Sequence, residues 1–139
     1  VYQIAKSATD ASYPEKISYD KEDILVVIEG LSMYLKEADI LQMFSVIEKN
    51  FPKATVFIET MSPFFAKHIK EKSIEGSQAK FVWGIKNGKA LQELIPAFTY
   101  KKEVSLVEGM KKMMPIYHVL GKIPAVRNIS NKIIVMEKN

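Results

Sequence analysis

The clearest pattern in the chain is a run of five consecutive aliphatic residues, Ile24 to Ile28, with acidic residues on both sides and Gly30 shortly after it. An apolar run without alternation is typical of a strand buried on both faces, as in a parallel sheet that helices cover. A second, mostly apolar run, interrupted by Thr55, extends from Ala54 to Ile58. The pattern therefore predicts two buried parallel strands.

Between these two runs, the apolar residues are spaced like one face of an α-helix, at intervals of four, three and four positions. They are Ile40, Phe44, Ile47 and Phe51. Because Pro52 disfavours helical geometry at the residue before it, the helix is expected to end near Asn50. A strand, a helix and a strand with short connections form a right-handed βαβ unit.

The rest of the chain predicts shorter elements and a C-terminal pair of antiparallel strands. They are a strand from Val1 to Ile4, a helix from Phe64 to about Lys72 with Pro63 suited to its first position, a helical turn from Ala90 to Leu94, and strands from Phe98 to Val107 and from Ile129 to Met136. The last two strands are expected to pair as a hairpin. This order of elements predicts one α/β domain over residues 1–139.

Composition narrows the class of protein. The chain is 47% hydrophobic and 26% charged, as in ordinary soluble globular domains. No apolar run approaches the ~20 residues that span a bilayer, and no signal peptide is visible, so we expect a cytoplasmic protein without membrane contact. The chain has no cysteine, and its histidines, His68 and His118, lack a carboxylate at metal-ligand spacing. No metal site is therefore expected.

The charge of the chain is mild and dispersed. A net charge of +4 comes from 19 lysines and a single arginine, Arg127, balanced by 16 acids along the chain. Nucleic-acid surfaces usually cluster basic residues, with arginines for bidentate contacts and aromatic residues for stacking. We expect no nucleic-acid partner, and a lysine-rich nucleic-acid binder remains as an alternative.

Candidate ligand contacts follow from strand ends, because open α/β sheets bind ligands outside the carboxyl ends of their strands. The segments that follow predicted strands are Ser7 to Asp10, Glu29 to Tyr34 and Met61 to Phe65. Glu29 is either a solvated strand-end acid or a cleft carboxylate. Tyr34 is either a core tyrosine or a substrate contact, and Trp83 either packs under a loop or lines an apolar pocket.

Three segments, ILVVIEGLSMYL, FPKATVFIETMSPFF and FVWGIKNGKALQEL, occur in this order and together resemble the tetracenomycin-type polyketide O-methyltransferases and the related leucine carboxyl methyltransferases. The segment SATDASY lies where that family has its third-strand loop, and Tyr13 takes the place of a common tryptophan. The resemblance implies a Rossmann-like class I fold that uses S-adenosylmethionine, with sheet order 3-2-1-4-5-7-6 and strand seven antiparallel. This chain would supply strands three to seven, the C-terminal part.

The resemblance also implies roles for particular residues. The cofactor would be held by Ser7, Ala8, Thr9 and Asp10 beside the adenine, and by Glu29 and Gly30 near its methionine part. The small-molecule acceptor, a hydroxyl or carboxylate compound, would contact Tyr34, Phe64, Phe65 and Trp83. No catalytic residue is assigned, because His118 and Glu29, the two candidate general bases, have no visible orienting partner.

The chain departs from that family in one important respect. It contains no G-x-G element and no acid that ends a second strand, so the expected anchors of the cofactor are absent. A fragment that is inactive alone is therefore expected, and a non-catalytic interaction module on the same scaffold is the alternative. Without strands one and two, the strand from Ile24 to Ile28 has a free edge. The strand from Val1 to Ile4 moves in beside it, or, as we favour, a homodimer or the missing N-terminal part covers it.

Overall fold

A four-stranded mixed sheet forms the centre of the computed structural model, which describes residues 2–18, 20–68, 80–108, 122–123 and 130–138. The strands are β1 (Asp23–Ile28), β2 (Lys53–Thr60), β3 (Thr99–Ser105) and β4 (Lys132–Lys138). The helices are α1 (Glu37–Asn50), α2 (Pro63–His68) and α3 (Gly88–Leu94), and 3-10 turns lie at Tyr13–Lys16 and Ser32–Tyr34.

The strands are arranged in the order β1-β2-β4-β3. β1 and β2 are parallel, with Val26 opposite Val56, and α1 connects them. β4 is antiparallel to both of its neighbours, with Ile134 opposite Ile58 on one side and opposite Glu103 on the other. The predicted βαβ unit and the pairing of the last two strands are confirmed, and the sheet is compatible with a Rossmann-like fold.

Helix α1 ends where the sequence predicts. At its start, the backbone N–H of Lys36 donates to the carboxylate of Asp39 at 3.1 Å. At its end, Phe51 is extended, with φ −127° and ψ 117°. Lys138 on β4 donates its Nζ to the carbonyl oxygens of Phe51, at 2.7 Å, and Glu48. A cation is favourable at this end of a helix because the terminal carbonyls carry partial negative charge.

The hydrophobic core lies on one face of the sheet. The register aligns Val26 with Val56 and Met136, and the next core row aligns Ile28 with Ile58 and Ile134. Helix α1 covers these rows, and Phe44 packs edge-on against Phe98 with 5.0 Å between ring centroids. Leu91 of α3 belongs to the same cluster, so α1 and α3 share one face.

The prediction that β1 is buried on both faces is wrong. Leu25 and Val27 are 66% and 64% exposed, whereas Ile28 is buried and Ile24 and Val26 are half-buried. The reason is that α1 and α3, the described helices of the core, pack on the same face, so alternate residues of β1 point away from them. Among the described residues, β1 also has no partner on the side opposite β2.

The predicted strand at the N-terminus is not formed by residues 2–4, which are irregular. Tyr2 is 67% exposed and Ile4 is half-buried. The segment lies outside the sheet, so it does not move in beside β1. Other predicted ends differ by a few residues, since α3 begins at Gly88 instead of Ala90 and β3 spans Thr99–Ser105. Pro63 begins α2 as expected, while Ile129 and 69–72 lie outside the described residues.

Candidate ligand-binding clefts

The carboxyl ends of β1 and β2 lie at the same edge of the sheet because the two strands are parallel. The segment from Glu29 to Tyr34, here called the dividing loop, leaves β1 at this edge. A first cleft, with a volume of about 340 Å³, is lined by Glu29 and Leu31 on one side of the loop. A second cleft, of about 440 Å³, is lined by Gly30, Met33 and Tyr34. The two clefts therefore share one wall.

The first cleft brings together predicted cofactor contacts from distant parts of the sequence. Ser7 and Ala8 from the N-terminal segment and Glu29 after β1 all line it. Lys6 and Tyr13 contribute further polar groups, and burial raises the pKa of the Tyr13 phenol. The remaining lining is apolar: Ile4, Val26, Val27, Ile28, Leu31, Met43 and Ile47.

Thr9 and Asp10 lie beside the first cleft without lining it. Thr9 Oγ1 and Ser7 Oγ are 2.9 Å apart and hydrogen-bonded. Asp10 turns to Ser12 and accepts hydrogen bonds from its backbone N–H at 2.8 Å and its hydroxyl at 2.6 Å. Lys6 Nζ also donates to Asp10 at 3.3 Å. The Ser12 hydroxyl, the Ser12 N–H and the Lys6 ammonium lower the pKa of Asp10 to about 2.

We expect Ser12→Ala to raise the pKa of Asp10 from about 2 towards its usual 3.8, because the variant removes the strongest hydrogen bond to the carboxylate. Because the pKa of Asp10 in the folded protein lies below its usual value, the ionised Asp10 carboxylate stabilises the fold above about pH 4. This stabilisation is lost as the pH falls towards 2 and the carboxylate takes up a proton. Carboxyl ¹³C shifts measured by NMR during an acid titration report the midpoint. Ser18→Ala is the control, and equal midpoints in all three proteins would contradict the assignment.

The second cleft is lined by two of the residues predicted to contact the acceptor. Tyr34 and Phe65 line it with Phe81, whose ring centroid is 5.2 Å from that of Tyr34. Met33 and Met61 add to this apolar surface, and Gly30, Glu59 and Asn131 complete the lining with polar groups. Gly30, predicted as a cofactor contact, therefore lines this cleft and not the first one, and its role in cofactor binding stays a prediction. A flat apolar ligand with a polar substituent matches such a surface.

Two predicted acceptor contacts lie elsewhere. Phe64 is 54% exposed, and its ring stacks on that of His68 with 4.6 Å between centroids. Trp83 is buried in the hydrophobic core and lines neither cleft. A role of either residue in acceptor binding stays a prediction. His118 lies outside the described residues.

The wall of the second cleft depends on a close backbone approach at Gly84. A Cβ atom at this position would lie 2.8 Å from the carbonyl oxygens of Met61 and Ser62, so only glycine fits. On either side of it, Ile85 N–H donates to Met61 O at 2.8 Å and Val82 N–H donates to Met33 O at 2.9 Å. The segment before α3 is thereby tied both to the end of β2 and to the dividing loop.

Glu59, near the end of β2, is a polar residue of the site that the sequence analysis missed. Its carboxylate accepts from the Gly30 N–H at 3.0 Å and from Asn131 Nδ2 at 2.9 Å. Its backbone oxygen accepts from Ser32 Oγ at 2.5 Å. The signal was present in the sequence, because Glu59 follows the second apolar run as Glu29 follows the first.

The described residues contain neither a cluster of metal ligands nor a membrane-spanning helix. Residues 2–18, 20–68, 80–108, 122–123 and 130–138 contain no group of three or more histidine, aspartate or glutamate residues arranged to hold a metal ion. Within the same ranges, no helix has the length and apolar character needed to cross a membrane.

Both clefts lie beside the carboxyl ends of parallel strands, on a sheet compatible with a Rossmann-like fold, which is where open α/β sheets bind ligands. Comparison with known proteins shows that part of the chain is similar to an O-methyltransferase. The tetracenomycin polyketide synthesis O-methyltransferase of Streptomyces glaucescens is 31% identical to it over 88 residues, which cover 61% of this chain and 32% of the relative. The chain thus matches about a third of that protein's length. No protein-family model matches the chain.

Proposed function

We propose that this chain is part of an S-adenosylmethionine-dependent O-methyltransferase that acts on a hydroxyl or carboxylate of a small molecule. The observation that carries the proposal is the shared wall of the two clefts, formed by Glu29 and Leu31 on one side and by Gly30, Met33 and Tyr34 on the other. Ligands on the two sides of one loop are neighbours, and direct group transfer requires neighbouring, aligned reactants. The similarity to a known O-methyltransferase supports the same reaction class.

The first cleft is the proposed cofactor side. Its donor set fits the polar parts of the cofactor, because the Glu29 carboxylate matches an ammonium group and the Ser7 hydroxyl can donate or accept a hydrogen bond. Apolar residues such as Val26 and Leu31 fit the less polar portions. When bound, S-adenosylmethionine supplies an electrophilic methyl group, and the residues of this cleft hold and orient it.

The second cleft is the proposed acceptor side. Tyr34, Phe65 and Phe81 offer aromatic surfaces that exclude water from an apolar acceptor. The acceptor oxygen would form the new bond to the methyl carbon while the carbon–sulfur bond breaks and its electron pair stays on sulfur. A carboxylate acceptor releases no proton, whereas a hydroxyl acceptor gives its proton to a base or to solvent.

We propose in addition that a second copy of the chain pairs with the free edge of β1. The support is that Leu25 and Val27 are exposed on this strand and that, among the described strands, β1 has no partner opposite β2. Long apolar edges seldom remain bare in native proteins. The test of this association is given in the Discussion.

The proposed activity is tested on the 139-residue chain and on the complete product of the gene that encodes it. Calorimetry with S-adenosylhomocysteine measures cofactor-site binding, and transfer of a labelled methyl group to a panel of phenols and carboxylic acids measures turnover. We expect binding and transfer by the gene product. No binding and no transfer by either protein would overturn the proposal and favour the non-catalytic interaction module.

Tyr34→Phe is expected to lower kcat/KM for the acceptor about fivefold, which corresponds to the ~1 kcal/mol of one hydrogen bond, with unchanged affinity for S-adenosylhomocysteine. The reason is that Tyr34 lines the acceptor cleft and not the cofactor cleft. Tyr2→Phe at an exposed site is the control. Normal kinetics with a lowered melting temperature would instead assign Tyr34 a purely structural role.

A further inference from the structure

We infer that Glu59 is a positioning residue, which fixes the dividing loop and thereby the spacing of the two clefts. The inference rests on the proposed function and adds to it a residue that acts through the loop, with no contact to the reacting atoms required.

The side chain of Glu59 forms a hydrogen bond to the chain after β1 just beyond the last backbone pair of β1 and β2. β1 and β2 pair as far as Ile28 opposite Ile58. One residue beyond that pair on β2, the Glu59 carboxylate accepts the N–H of Gly30 at 3.0 Å. Gly30 has a left-handed backbone with φ +63°, so the chain changes direction here. The conformation of the turn therefore depends on one side chain instead of on a continuing ladder.

A second contact ties Glu59 further along the same loop. Its backbone oxygen accepts from Ser32 Oγ at 2.5 Å, and Ser32 is fully buried. The loop is thus held at Gly30 through the side chain and at Ser32 through the backbone of a single residue. A buried hydroxyl that lost this acceptor would be costly, which favours one loop conformation.

Asn131 sets the orientation of the Glu59 carboxylate. Its Nδ2 donates to Oε1 at 2.9 Å, while Oε2 remains directed at Gly30. Glu59 lies on β2, and Asn131 directly precedes β4, the strand that pairs with β2 in the sheet. A hydrogen bond to an ionised group is stronger than one between neutral groups. The support of the loop is therefore anchored in the sheet.

Small movements of the dividing loop matter because its residues alternate between the clefts. Glu29 and Leu31 face the proposed cofactor side, whereas Gly30 and Tyr34 face the acceptor side. A displacement of about 1 Å between reactants can cost about a hundredfold in rate. A residue that fixes this loop is thus expected to affect turnover more than the binding of either ligand.

The test uses an exchange of donor and acceptor across the 59–131 pair. In E59Q, an NH₂ group replaces one of the two carboxylate oxygens, so either the Gly30 N–H or Asn131 Nδ2 faces another donor in place of its acceptor. In N131D, two carboxylates lie within hydrogen-bond distance and repel. In E59Q/N131D, the amide at position 59 can again accept from Gly30 while it donates to the new carboxylate, so both hydrogen bonds return.

Two readouts are compared in the complete gene product. NMR-detected hydrogen exchange at the Gly30 amide is expected to speed up at least tenfold in each single variant and to return to within about threefold of the parent in the double variant. The kcat is expected to fall about tenfold in each single variant, with KM within about threefold, and to recover in the double variant. E93Q, at an exposed position on α3, is the matched control with no change expected.

The outcomes separate this inference from the proposed function. Unchanged Gly30 exchange in both single variants overturns the inference, as does altered exchange with normal kcat. Failure of the double variant to restore exchange and kcat overturns it too, including the case in which the single variants do not fold. A parent protein without methyl transfer refutes the proposed function and the positioning role in it, while Gly30 exchange still reports whether Glu59 holds the loop.

Discussion

Phe44→Ala is expected to lower the free energy of unfolding by about 3–5 kcal/mol, the usual cost of truncating a buried phenylalanine. Phe44 is 1% exposed and lies on the face of α1 that covers the sheet. It also contacts Phe98, just before β3, edge-on at 5.0 Å between centroids. The aromatic pair connects α1 to the segment that leads into the edge strand β3. Truncation at position 44 therefore removes this contact and leaves a cavity in the core.

Denaturant unfolding followed by circular dichroism measures this loss as a lower midpoint at nearly constant slope. Phe64→Ala makes the same chemical change at a residue that is 54% exposed, so its effect should stay below about 1 kcal/mol. If the two variants differ by less than about 1 kcal/mol, Phe44 does not have the central place in the core that its contacts indicate.

Val27→Lys is expected to convert a dimer of the chain into a monomer. Val27 is 64% exposed on β1, and the proposed dimer pairs this edge with the same edge of a second copy. Lysine on each copy would place like charges near one another across the new ladder, which opposes pairing. A desolvated ammonium at an apolar interface adds to the cost.

Light scattering coupled to size exclusion measures the mass of the parent and of the variant at matched concentrations. Val82→Lys is the control, since Val82 is 55% exposed but lies outside the sheet. We expect the mass of two chains for the parent and for Val82→Lys, and of one chain for Val27→Lys. A monomeric parent would refute the proposed pairing.

The apolar pattern correctly predicted the βαβ unit, but it failed for the N-terminal strand and for the faces that the core covers. The spacing of Ile40 to Phe51 predicted α1, and Pro52 predicted its end. The run from Ile24 to Ile28 predicted a strand, but every residue in it is apolar, so the run itself could not reveal which face the helices cover. That choice depends on α1 and α3 packing on the same side, which is a tertiary property.

The candidate site was predicted only where local position decides it. Glu29 and Tyr34 follow β1, so their place at the edge of the sheet could be inferred from the chain alone. The role of Glu59 could not, because its partners Gly30 and Asn131 are 29 and 72 residues away. Such contacts depend on strand register, and a shift by one residue would turn the Glu59 side chain to the other face.

The position of β4 has a consequence for how the protein folds. β4 is the last of the four strands in sequence but lies between β2 and β3, and its residue Lys132 is hydrogen-bonded to Thr60, 72 residues earlier. Pairing over such a separation closes a long loop and slows folding. At about 5–20 residues per second, a ribosome needs roughly 4–14 s to extend the chain from β2 to β4. During that interval the edge of β2 that later pairs with β4 is unpaired. The growing chain is therefore most vulnerable to aggregation before β4 emerges.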